Sequence, residues 1–288
     1  MTISVSAKAK INLFLDISSR RDNGYHNIVS YMHSVSLCDT VTVDFTPSKS
    51  KAITITCSDS DLPVNEDNLV YKAALLYPIN GEIKIHIEKR IPISAGLAGG
   101  SADAAATLKA LDMLSSTPLG VDALCRLGSS LGADIPFCIK GGACIAEGIG
   151  EILSDAIPMP VYPIVIAKMG EGMSTPAAYK ELDVKFNNFT DYQVNYDRLS
   201  ALMNANNETD IDEYCTNLFN IFESVVEPKR PFVTEIKNIM IKFRAAGAMM
   251  SGSGTSVFGI FKNEADAKSA VEALVAIGAA AHLCYPQT

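Results

Sequence analysis

Positive charge is in short supply in this chain: 24 Lys and Arg stand against 32 Asp and Glu, a formal net charge of −8. That balance excludes broad, non-specific attraction to nucleic acid or to an anionic membrane. An anionic substrate has to be met locally, by a few cations and by backbone donors. The seven cysteines, at 38, 57, 125, 138, 144, 215 and 284, include no C-x-x-C pair. Neither a zinc ribbon nor a disulfide framework is indicated, and the usage suits a reducing compartment. Four histidines occur without H-E-x-x-H, which removes the commonest metallohydrolase pattern. No apolar run approaches the ~18 residues needed to span a bilayer. The opening MTISVSAKAKIN has no long apolar stretch either, so the expectation is a soluble, cytoplasmic protein with no membrane partner. Two familiar nucleotide signatures are also missing: there is no G-x-x-x-x-G-K-[ST] and no G-x-G-x-x-G. No internal repeat or low-complexity segment is present.

What is present is a chain of 288 residues, 48% apolar and 19% charged, long enough for two domains and a large core. The break Ile157-Pro158-Met159-Pro160 suggests a division into residues 1–157 and 158–288. The most informative stretch lies between Pro92 and Ala105, PISAGLAGGSADAA. The segment before it alternates Ile83, Ile85 and Ile87 with Lys84, His86 and Glu88, the period of a half-buried strand. The segment after it is an Ala-rich helix. Small residues between strand and helix let backbone N–H groups converge, and the start of the helix adds its own free N–H groups and dipole. The expected ligand is an anion, above all phosphate. The alternative is a tight turn with close helix–strand contact and no ligand.

Elsewhere, residues 2–17 read as strands, with Lys10 and Asn12 pointing the same way. Asp22-Asn23-Gly24 is a hairpin-turn signal that carries Tyr25 and His26 back beside the Lys10 strand. Further strands are expected over 31–57, around 161–168, at 256–261 and near 280–285. Helices are expected over 65–76, 101–114, 121–131, from Ser174-Thr175-Pro176 onward, and over 210–226, 231–245 and 264–274. The Asn-rich stretch 187–207 reads as loop with a short helix. Asp134, in Leu131-Gly132-Ala133-Asp134-Ile135-Pro136-Phe137, is an acid among apolar neighbours, so it either caps a helix or faces a cleft.

Pro92-x-x-x-Gly96-Leu97 resembles the second motif of the galactokinase, homoserine kinase, mevalonate kinase and phosphomevalonate kinase superfamily. Gly99-Gly100-Ser101 is spelled as in its 4-diphosphocytidyl-2-C-methyl-D-erythritol kinase branch. AKINLFL with Gly24-Tyr25-His26 is similar to that branch's first motif, and Gly132-Ala133-Asp134-Ile135-Pro136 to the segment bearing its catalytic aspartate. Ser251-Gly252-Ser253-Gly254 is similar to the superfamily's third motif, a glycine turn that props the phosphate loop. The four motifs run in order from residue 10 to residue 254.

The resemblance implies a two-domain α/β (α+β) kinase with its active site in the cleft between domains, using ATP and Mg2+ on a small molecule carrying a cytidine diphosphate group. It implies Asp134 as the base and Lys10 as the cation that orients the acceptor hydroxyl. Pro92, Ile93, Ser94, Ala95, Gly96, Leu97, Ala98, Gly99, Gly100, Ser101 and Ala102 would cradle the triphosphate. Asn12 would bond the substrate polyol, with Tyr25, His26 and Tyr179 around the cytosine. This chain departs from the glycine-rich spelling at Ser94, Ala95 and Ala98, and has Ala102 where a second serine is common. The metal ligands are therefore unassigned, with Ser101 the remaining candidate. Two other readings are a superfamily kinase for homoserine or mevalonate-type acceptors and a nucleotide-binding regulator without catalysis. Tyr25, His26 and Tyr179 weigh against the first, Asp134 and Lys10 against the second.

Overall fold

The computed structural model describes residues 1–205 and 209–288, so part of the Asn-rich stretch expected to be loop lies outside the described residues. The chain divides into two compact units that are each discontinuous in sequence. The first comprises residues 1–9, 38–93 and 98–141; the second comprises 10–37, 94–97 and 142–288.

Two long strands contribute to both units: β1 (Thr2–Arg20) and β2 (His26–Pro47). Thr2 to Arg20 contains no Gly or Pro, so one unbroken strand forms where the sequence suggested more than one. In the first unit, β2 pairs antiparallel with β4 (Gly81–Glu88), and β4 pairs parallel with β3 (Ala52–Cys57). The alternation expected for β4 is present: Ile83, Ile85 and Ile87 are buried, and Glu82, Lys84, His86 and Glu88 are exposed. Those isoleucines join Val41, Val43 and Phe45 of β2 in one core with the helices α1 (Leu69–Leu76) and α2 (Gly99–Leu114). α1 begins four residues later than the pattern suggested, because Asn68 is its cap and accepts from Val70 N at 2.9 Å. Two shorter helices complete the unit, α3 (Val121–Ser129) and α4 (Ile135–Lys140). α4 was not foreseen; six residues carry too little periodicity to announce a helix.

In the second unit, Asp22–Gly24 form the expected turn, with Arg21 N donating to Tyr25 O at 2.7 Å. The first part of β2 pairs antiparallel with β5 (Ala143–Glu147), and β5 with β6 (Ile152–Asp155). A second sheet is antiparallel throughout. Its order is β11 (Ala280–Cys284), β7 (Ile164–Lys168), β10 (Val257–Phe261), β9 (Ala245–Met250). The helices α9 (Pro231–Lys242) and α10 (Glu264–Ala276) pack on it, their Val233, Ile236, Met240, Ala267, Ala270 and Leu274 fully buried.

The expected helix over 210–226 is broken into α7 (Ile211–Thr216), the two-residue β8 (Phe219–Asn220) and α8 (Glu223–Val226). β8 pairs parallel with β1 at Phe14 and Leu15, and buried Asn220 donates to the carbonyls of Met250 (2.7 Å) and Gly252 (2.9 Å). Those distant partners outweigh helical propensity. α5 (Thr175–Lys185) starts as expected, with Ser174 as its cap and proline in the first turn. α6 (Tyr196–Met203) follows, and a terminal β12 (Pro286–Gln287) pairs with β2 at Val35 and Ser34. Among the described residues no helix is long and apolar enough to cross a membrane.

Candidate active site

The structure gathers Lys10, Asn12, Gly96, Ser251 and Gly252 in the second unit. Lys10 and Asn12 lie on the same face of β1, both buried, and Lys10 Nζ donates to Asn12 Oδ1 at 2.6 Å. The same oxygen accepts from Gly252 N at 2.9 Å, while Asn12 Nδ2 donates to Ser30 Oγ at 2.8 Å. Ser30 Oγ in turn donates to Phe14 O at 2.7 Å. A buried lysine held in this way has a fixed ammonium position, because each donor and acceptor around it is itself oriented.

The glycine turn after β9 meets the Ser94–Leu97 segment directly. Ser251 Oγ donates to Gly96 O at 3.1 Å, Ser256 N to Ala95 O at 3.1 Å, and Lys10 N to Leu97 O at 3.1 Å. Gly96 and Gly252 have φ of +75° and +59°, and a Cβ on either would run into the other segment's backbone. Here glycine is required both by conformation and by close approach.

The rest of the loop belongs to the first unit: Pro92 and Ile93 before the insertion, Ala98 to Ala102 after it. Ala98 precedes α2 in a left-handed conformation (φ 57°) and offers no capping side chain. The first helical bond is Ala102 N to Ala98 O at 2.8 Å, so the N–H groups of Gly99, Gly100 and Ser101 have no helical acceptor. Beside them lies a buried ion cluster that the sequence reading missed. Lys89 Nζ bonds both Asp39 Oδ2 and Asp103 Oδ2, the latter at 2.8 Å. Asp39 Oδ1 also accepts from Arg90 N (2.5 Å) and Ile91 N (2.8 Å), fixing the chain where it enters the loop. Burial pushes the Asp103 carboxyl up to about 7; Lys89 opposes the rise and Asp39 adds to it. The available signal was an acid inside an apolar helix, SADAAATL.

Asp134, also in the first unit, stands at the N-cap position of α4, yet its side chain accepts no hydrogen bond from the first turn. The capping alternative is thus not what its carboxylate does.

In the second unit, His26 opens β2 and is buried, whereas Tyr25 is exposed. The His26 ring stacks on Tyr179 of α5 with centroids 4.6 Å apart and meets Phe189 edge-on at 5.7 Å. His26 Nε2 lies 2.6 Å from Asp183 Oδ1, and Arg20 Nε lies 3.2 Å from Asp183 Oδ2. Tyr179 and Asp183 are four residues apart and therefore share one face of α5, a spacing legible in the sequence but not used there. Phe189 and Tyr192 follow α5 in a segment anchored on Asp16. This fully buried carboxylate accepts from Tyr192 Oη (2.8 Å), Asn195 N (3.1 Å) and Asn195 Nδ2 (2.9 Å).

Among the described residues no three His, Cys, Asp or Glu side chains come together to hold a metal. A Mg2+ ion carried by a triphosphate needs no such cage, because it keeps several waters and takes phosphate oxygens as ligands.

The glycine-propped loop and fixed lysine of the second unit, and the helix start of the first unit with its N–H groups outside the helical ladder, are each features suited to meeting an anion. The sequence profile described as GHMP kinases N terminal domain matches residues 68–142, and that of GHMP kinases C terminal matches residues 193–280. The chain belongs to the GHMP kinases, the small-molecule kinases that take phosphoryl from ATP. It is 41% identical over 285 residues to the 4-diphosphocytidyl-2-C-methyl-D-erythritol kinase of Alkaliphilus metalliredigens, covering 98% of this chain and 95% of that one. The enzyme of the same name from Caldicellulosiruptor saccharolyticus is 41% identical over 277 residues, covering 94% and 92%. A crystal structure of a 4-(cytidine 5'-diphospho)-2C-methyl-D-erythritol kinase superposes with a TM-score of 0.81 at 30% identity, covering 99% and 100% of the two chains. The homoserine kinase from Cytophaga hutchinsonii shares the fold, with a TM-score of 0.72 at 20% identity over 100% of this chain and 95% of that one.

Proposed function

We propose that this protein transfers the γ-phosphoryl group of ATP to a hydroxyl of 4-diphosphocytidyl-2-C-methyl-D-erythritol, the kinase step of non-mevalonate isoprenoid synthesis. The observation that carries this is near full-length similarity, at about 40% identity, to relatives of that name. In this reading the acceptor hydroxyl attacks the γ-phosphorus, its proton passes to Asp134, and the bond to the leaving ADP oxygen breaks. Lys10 orients the hydroxyl and offsets the charge that develops on it. Asn12 holds Lys10 through Oδ1, and its second Nδ2 proton is available to the substrate polyol. The segment Pro92–Ala102 receives the triphosphate, its backbone donors acting on charge that spreads over the phosphoryl oxygens in the transition state. The unused N–H groups at Gly99, Gly100 and Ser101 support that role.

Mg2+ would neutralise phosphate charge when bound, with the Ser101 hydroxyl as the side-chain candidate beside its waters. Tyr25, His26 and Tyr179 would hold the cytosine, supported by the stacking of His26 on Tyr179. A division near residue 157 into an ATP-binding part and a C-terminal α/β part belongs to the same reading; the two matched profiles fall on either side of it. The net charge of −8 weighs against nucleic acid or an anionic membrane as a partner, and the cysteine usage supports a reducing, cytoplasmic location.

The test is ADP release by the purified protein with ATP, Mg2+ and each of three acceptors. Turnover is expected with 4-diphosphocytidyl-2-C-methyl-D-erythritol and not with homoserine or mevalonate. The opposite preference, or no turnover with any acceptor, overturns the proposal.

A further inference from the structure

The His26–Asp183 contact joins residues 157 positions apart in the sequence and plays no part in the phosphoryl transfer described above. We propose that Asp183 is a positioning residue: it fixes the tautomer of His26 and so makes the site select cytosine over uracil, an inference that rests on the cytidine-substrate reading above.

The geometry carries the argument in three steps. First, the imidazole is held on its faces and at one end. It is buried, stacked on Tyr179 with an interplanar angle of 21°, and crossed by Phe189 at 76°. Second, the end is polarised. An ionised carboxylate accepts hydrogen bonds and gives none, so the nitrogen 2.6 Å from Asp183 Oδ1 is the one that carries the proton. Arg20 Nε, 3.2 Å from the other oxygen, keeps that carboxylate an acceptor. Third, a neutral imidazole has one donor and one acceptor. With the proton on Nε2 of the neutral ring, Nδ1 is a bare acceptor.

An acceptor at that point distinguishes the two pyrimidines. Cytosine presents a 4-amino donor, and uracil presents a 4-carbonyl acceptor at the same position. The Nδ1 lone pair bonds the first and opposes the second. A site built to bond one group rejects the analogue that lacks it, because the buried partner is left unpaired. Asparagine at 183 can turn its amide N–H toward Nε2. That would move the imidazole proton to Nδ1 and reverse the pattern the base meets, as happens when the acidic partner of a catalytic histidine is replaced by its amide.

The experiment has two arms. Nitrogen-15 NMR of the unliganded wild-type protein is expected to show His26 with protonated Nε2 and bare Nδ1. The opposite tautomer or an imidazolium overturns the proposal, and this arm stands whether or not any variant folds. In the second arm, kcat/KM is measured for 4-diphosphocytidyl-2-C-methyl-D-erythritol and for its uridine counterpart. In Asp183→Asn the cytidine-to-uridine ratio is expected to fall by roughly tenfold or more, through KM for the cytidine compound, since ~1.4 kcal/mol of lost pairing is a factor of ten. A folded variant with the wild-type ratio, or with both substrates weakened equally, overturns the role of Asp183. Equal kcat/KM for the two compounds in the wild-type protein overturns the nucleobase reading itself.

Discussion

Gly252→Ala asks whether the glycine turn positions the reacting groups or merely connects two strands. An alanine Cβ there would lie 2.8 Å from Gly96 O, 3.1 Å from Gly96 Cα and 3.2 Å from Lys10 Nζ. Ordinary contact begins near ~3.4 Å, so the loop backbone has to retreat by about half an ångström, in a packed region that deforms poorly. The positive φ adds roughly 1–2 kcal/mol for any residue with a Cβ. Gly278→Ala is the matched control. Its φ of +88° carries similar conformational strain, but nothing lies within 4 Å of the added Cβ. Both variants are expected to lose a few degrees of melting temperature, at about 2–4 °C per kcal/mol for a chain of this size. Only Gly252→Ala is expected to lose activity as well. A displacement of about 1 Å costs on the order of 10²-fold, so half of that predicts roughly a tenfold loss in kcat/KM. The measurements are thermal melts and coupled ADP release on both proteins. Wild-type kcat/KM in a folded Gly252→Ala protein would refute the idea that this turn sets the position of Lys10 and the loop.

Asp134→Asn is expected to fold and bind ATP normally while turnover falls by ~10²–10⁴, the range for a general base; near-normal turnover returns Asp134 to a structural role. A Val at Gly99 sends its side chain toward Ile91 Cγ2 and Lys89 Nζ, whose distances from the added Cβ are 3.1 and 3.5 Å. Titration is expected to show a weaker affinity for ATP and a nearly unchanged affinity for the cytidine compound, and an equal loss of both would make the loop a folding element. Asp103, raised by burial from 3.8 to about 7, holds its proton in the folded chain at pH values where the unfolded chain has lost it. Stability must therefore fall as pH rises between ~4 and ~7 through this group. Asp103→Asn is expected to flatten that part of the melting-temperature profile; an unaltered slope refutes the assignment.

The elements legible in the sequence were those whose cause is local. The alternation in β4, the Asp22–Gly24 turn and the Ser174-Thr175-Pro176 start of α5 each depend on residues a few positions apart, and each formed as read. The third motif's contact with the loop was also anticipated, through the resemblance. What escaped was decided at a distance. Asn220 breaks the expected helix because its amide serves carbonyls at 250 and 252. β9 has the sequence AAGAMM, without β-branched residues, and is a strand through its pairing with β10. Asp39 and Lys89 are 50 residues apart, and Asp183 and His26 are 157 apart. No periodicity links such pairs, although an acid placed among apolar neighbours, as at Asp103, was a usable sign.

The interleaving of the two units also governs the order in which the chain can fold. The first unit ends at Gly141, whereas the second combines residues 10–37 and 94–97 with everything from Gly142 onward. During synthesis, the later part of β1 and the early part of β2 emerge first, yet their partners β5 and β8 come only after the first unit has been made in full. Until then these apolar strands, including Phe14, Leu15, Tyr31 and Met32, carry unpaired edges of the kind that attract other nascent chains. A polypeptide halted near residue 141 would expose that hairpin permanently, and with it the strand that bears Lys10.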